Sequence, residues 1–72
     1  MKPPRVSGKE CQKALAQVGF YFVSQESSHI KLRRDDPYAQ VIVPNQRELA
    51  AGTLRSILKH AGLTVEQFID LL

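Results

Sequence analysis

Three short β-prone runs stand between Phe20 and Val43 with only turn-length gaps separating them. Phe20-Tyr21-Phe22-Val23-Ser24 is aromatic and β-branched, His29-Ile30-Lys31-Leu32-Arg33 alternates polar with apolar, and Gln40-Val41-Ile42-Val43 stops at Pro44. The gaps, Gln25-Glu26-Ser27-Ser28 and Arg34-Asp35-Asp36-Pro37-Tyr38, are far shorter than the dozen or so residues that a parallel crossover needs. The strands must therefore form an antiparallel meander. Such a sheet has to bury one face, and only the flanking segments can cover it.

Both flanks read as helices. Ser7 followed by Glu10 forms a capping box, Cys11, Ala14, Leu15 and Val18 fall on one stripe, and Gly19 closes a helix of about Gly8 to Val18. Beyond the sheet, Asn45 to Ala51 is a connection with a helical turn around Arg47-Glu48-Leu49. Gly52-Thr53 then opens a second helix with Thr53 as N-cap. Leu54, Ile57, Leu58 and Ala61 give its stripe and Gly62 its end. Thr64 and Gln67 make another capping box ahead of Val65, Phe68, Ile69 and Leu72. Met1 to Val6, with Pro3-Pro4, is an extended arm. The expectation is one α+β domain over residues 1–72, ordered αβββα with a short C-terminal helix. A three-stranded antiparallel sheet carries the helices on one face, a layout similar to the double-stranded-RNA-binding fold.

Bulk properties narrow the function classes. The chain has 72 residues, 43% hydrophobic and 24% charged, which suits a small globular domain rather than a disordered tail. No apolar run reaches the ~20 residues of a membrane span, and no signal-peptide core follows Met1. One cysteine, Cys11, rules out an internal disulfide and fits a cytoplasmic location. The thiol lies on the apolar stripe of the first helix, where cysteine acts as a small hydrophobe rather than a nucleophile. Two histidines and scattered acids offer no paired metal-ligand spacing, and Asp35-Asp36 before Pro37 is a turn, so neither metal nor cofactor is expected. The net charge of +3 and pI near 9.4 are compatible with a nucleic-acid partner.

The second strand carries the chemistry. With Ile30 and Leu32 turned inward, His29, Lys31 and Arg33 share the other face, each roughly 7 Å from the next. Histidine can take or give a proton near neutral pH, and the cations can hold phosphate oxygens. Tyr21, Val23, Gln40 and Ile42 are expected on the same face. His60, in the last turn of the second helix, complements the helix dipole and reads as structural.

In order along the chain, Ser7-Gly8-Lys9-Glu10, Gly19-Phe20, Ser28-His29, Val43-Pro44, Glu48-Leu49, Gly52-Thr53-Leu54-Arg55-Ser56-Ile57-Leu58 and Ala61-Gly62-Leu63 resemble the pattern of the HicA family of small toxins. The resemblance runs from Ser7 to Leu72. It implies a double-stranded-RNA-binding-like fold and a ribosome-independent, metal-free endoribonuclease that cleaves mRNA. It also implies a HicB antitoxin partner and a catalytic histidine after a Gly-Ser pair, which corresponds to His29. Two positions depart from the pattern. Ser27 stands where glycine is usual, and Gln46 where many relatives carry a histidine soon after Val-Pro.

Together these give a definite expectation. His29 acts as general base on the RNA 2′-OH, Ser28, Lys31, Arg33 and Arg34 bind RNA, and no metal takes part. The alternative from another class is a non-catalytic RNA-binding module of the same fold. A third reading is a small subunit whose basic face meets an acidic protein.

Overall fold

The computed structural model describes residues 2–72; Met1, the first residue of the expected arm, lies outside them. The elements are α1 (Gly8–Ala16), β1 (Tyr21–Glu26), β2 (His29–Asp35), β3 (Tyr38–Pro44), α2 (Ala51–Ala61) and α3 (Val65–Ile69). The sheet is antiparallel in the order β1-β2-β3, so the αβββα arrangement with a C-terminal helix is present as expected.

Both capping boxes form in full. The Ser7 hydroxyl accepts from the Glu10 N–H at 3.0 Å while the Glu10 carboxylate accepts from the Ser7 N–H at 2.9 Å. Thr64 and Gln67 repeat the exchange at 3.0 and 2.9 Å. Each box satisfies two helix N–H groups that would otherwise lack partners. Helix α2 behaves differently from expectation. It begins at Ala51, one turn before its apolar stripe, with Ala50 as N-cap and no side-chain cap bond, so Thr53 lies inside the helix. Its other end closes on Gly62 at φ 77°, a left-handed conformation that glycine tolerates.

The core is wholly apolar among the described residues. Leu15, Leu32, Val43, Leu54, Leu58 and Phe68 are the largest of its fully buried members, joining both helix stripes to the inner face of the sheet. Val6 is also buried, and its carbonyl accepts from the Leu49 N–H at 2.8 Å. The end of the expected arm is thus part of the fold. Gly8 marks the tightest approach among the glycines: a Cβ there would sit 2.1 Å from the Pro44 carbonyl oxygen. Only glycine lets α1 begin against the end of β3. Among the described residues, no helix is long and apolar enough to cross a membrane.

Candidate nucleic-acid interface

Strand β2 starts at His29, after the two-residue turn Ser27-Ser28. Ser27 has φ 55° and is the only described non-glycine residue with positive φ. Positive φ at the first central residue alone is the signature of a type II′ turn, which matches the twist of the hairpin. Serine therefore holds the conformation that glycine adopts without steric cost, and the departure from the Gly-Ser-His pattern leaves a tight turn in place. On the other side, the Ser28 carbonyl accepts from the Asn45 N–H at 2.6 Å, tying the turn to the segment after β3.

His29, Lys31 and Arg33 share the open face of the sheet, His29 exposed and the two cations half-buried. Their opposite numbers on β3 are Pro44, Ile42 and Gln40. Arg33 donates through Nη2 to the Gln40 side-chain oxygen at 3.1 Å, which fixes one edge of its guanidinium. Tyr21, paired with Arg33, donates its hydroxyl to the Asp35 carboxylate at 2.7 Å, and that carboxylate raises the phenol's pKa above the ordinary tyrosine value.

Two expected residues fall elsewhere. Val23 is not paired beside Lys31. The register shifts between Phe22 and Ser24, and the residues facing Lys31 and His29 are Ser24 and Glu26. Ser24, Glu26, His29, Lys31 and Ile42 line a shallow depression of about 80 Å³. Arg34, expected among the RNA contacts, lies on the inner face with Ile30 and Leu32. Its guanidinium donates to the Pro37 carbonyl at 2.9 Å and the Ala61 carbonyl at 3.2 Å, and lies 4.7 Å from the Phe20 ring centre. It caps the last turn of α2 and stacks on the core rather than joining Lys31 and Arg33. Ser28 stays exposed in the turn beside His29.

Further cations stand on the arm and at the start of α2, where Lys2, Arg5 and Arg55 line a cleft of about 380 Å³ with Glu48.

The other reactive side chains stand apart. Cys11 is buried in the core, and desolvation pushes its thiol up to about 12, so it stays protonated at neutral pH. His60 on α2 contacts the Ser56 carbonyl through Nδ1 at 2.8 Å. No cluster of three or more metal-ligating side chains occurs among the described residues.

No curated protein matches the chain. A family model described as the HicA toxin of bacterial toxin–antitoxin systems matches residues 8–63, from the start of α1 to just past α2. It takes in the whole sheet and leaves out only the arm and α3. A match over that much of a 72-residue chain makes this protein a member of the HicA toxin family, the toxin half of a toxin–antitoxin pairing.

Proposed function

We propose that the chain is an endoribonuclease that cleaves messenger RNA, with His29 as its catalytic residue. The observation that carries this reading is the placement of His29, Lys31 and Arg33 on one open face of the sheet. His29 takes the proton from a ribose 2′-OH. The 2′ oxygen attacks the adjacent phosphorus, the bond from phosphorus to the 5′ oxygen breaks, and the departing oxygen takes up a proton from the imidazolium or water. The products are a 2′,3′-cyclic phosphate and a 5′-OH. Lys31 and Arg33 balance the charge that grows on the phosphoryl oxygens, and Ser28 borders the phosphate. The nucleophile comes from the substrate, so the reaction as proposed uses no metal.

The antitoxin is proposed to be of the HicB type and to cover this same face. Tyr21, Tyr38 and Ile42 are exposed there and would serve as apolar anchors around the cations. RNA and antitoxin then compete for one surface.

The test is cleavage of a defined RNA by the purified protein in EDTA, with the product ends identified. His29→Ala is expected to fold normally, since the side chain is exposed and its removal leaves no cavity, and to lose at least about a hundredfold in rate. Wild-type products ending in 3′-OH and 5′-phosphate, or full activity in His29→Ala, would overturn the mechanism.

A further inference from the structure

Strand β1 carries one residue more than an even ladder can use. Tyr21 and Phe22 pair with Arg33 and Leu32, whereas Ser24, Gln25 and Glu26 pair with Lys31, Ile30 and His29, which leaves Val23 as the bulged residue. An unbroken register would set Val23 opposite Lys31 and Gln25 opposite His29. Neighbouring residues on a strand point to opposite faces, so one inserted residue exchanges every later side chain between core and open face. Here the exchange sets Ser24 opposite Lys31 and Glu26 opposite His29. Directly opposed residues have Cβ atoms about 4.5–5.5 Å apart, within side-chain reach. Glu26 and His29 also line the same depression.

From this register we infer that Glu26 is a positioning residue for His29, an inference that rests on the reading of His29 as the base. As His29 accepts the 2′ proton, its ring becomes a cation. The Glu26 carboxylate accepts a hydrogen bond from the ring N–H turned away from the RNA. That bond fixes the plane of the imidazole and stabilises the charge it gains. Glu26 exchanges no proton with the substrate. The charged groups facing His29 are Glu26 from β1 and Lys31 along β2; β3 offers Pro44, which is uncharged.

Glu26→Gln keeps the shape and removes the charge. We would measure kcat and KM on one RNA across a pH series. The titration of the His29 ring would be followed by NMR without RNA, with His60 on α2, held to the Ser56 carbonyl, as internal reference. The expected result is a fall in kcat of about tenfold or more with little change in KM. The acidic limb of the rate profile moves to lower pH, because the charge that favoured the protonated ring is gone. Glu26→Asp restores the limb, and Lys31→Ala moves it to higher pH. The His29 signals titrate at lower pH in Glu26→Gln while those of His60 stay fixed. Unmoved His29 titration and an unmoved limb would overturn the inference, as would a loss equal to that of His29→Ala, which would make Glu26 the proton acceptor. The NMR arm is independent of cleavage. A protein that cuts no RNA but shows the coupled titration refutes the nuclease reading alone.

Discussion

At the Asp35 end of the sheet, Arg34 turns under the strand to two backbone carbonyls and an aromatic ring, and Tyr21 bonds to Asp35. At the opposite end, His29 and Lys31 face outward beside a shallow depression, with further cations on the arm and at the start of α2. One end uses its polar side chains to hold helix, turn and sheet together. The other leaves cations directed at solvent around the one histidine on the sheet. Charge engaged beneath the sheet and charge on its open face thus belong to one strand, and Arg33 and Arg34, neighbours in sequence, take opposite sides.

The comparison breaks most visibly at Arg34. Arg34→Ala removes two charge-assisted hydrogen bonds and a cation–π contact, at a cost of about 2–3 kcal/mol. A domain this small should then melt roughly 10–20 °C lower. RNA binding by the folded fraction should keep its salt dependence. A stable Arg34→Ala protein with weakened RNA binding would place Arg34 back among the ligand contacts.

The converse change acts on the open face. Lys31→Ala with Arg33→Ala should lower the slope of log affinity against log salt by about 1.4, the value for two phosphate contacts on a single strand. Melting should change by less than about 1 kcal/mol, since Lys31 is only half-buried and Arg33 gives up only its bonds to Gln40. Salt titrations of RNA affinity on both variants check the pair. The smallest effect belongs to the turn that presents His29. Ser27→Gly relieves a positive φ and should stabilise the fold by a few tenths to about 1 kcal/mol, measured by denaturant unfolding. Its cleavage rate should equal that of wild type.

Much of this architecture is readable in the sequence because local signals agree with the global fold. Ser7–Glu10 and Thr64–Gln67 mark their helix starts, and alternation through Ile30 and Leu32 orients His29, Lys31 and Arg33. The family match likewise agrees with the resemblance, although it ends at Leu63. The bulge at Val23 is hidden because Phe20-Tyr21-Phe22-Val23 is apolar throughout, with no alternation to betray a change of face. It is legible only from the other side, by counting back from the two-residue turn. Glu26 was missed for that reason. Arg34 follows Ile30 and Leu32 by the period of two, which puts it on the inner face; grouping it with Lys31 and Arg33 by charge obscured this. The early start of α2 has no cap residue to announce it, and Ala50-Ala51 continue a helix as readily as they begin one.

The segment between β3 and α2 is a strap fastened at three places. Asn45 donates to the turn carbonyl of Ser28, Gln46 accepts from Gly8 at the start of α1, and Leu49 donates to Val6 in the arm. The backbone beneath His29 is thereby joined, through backbone hydrogen bonds, to Gly8 and Val6. A loosened amino terminus would free Leu49, then Gln46, and finally the hairpin that aims the imidazole. The Pro3-Pro4 arm is for this reason less a tail than the far end of a cord whose near end holds the turn that presents His29.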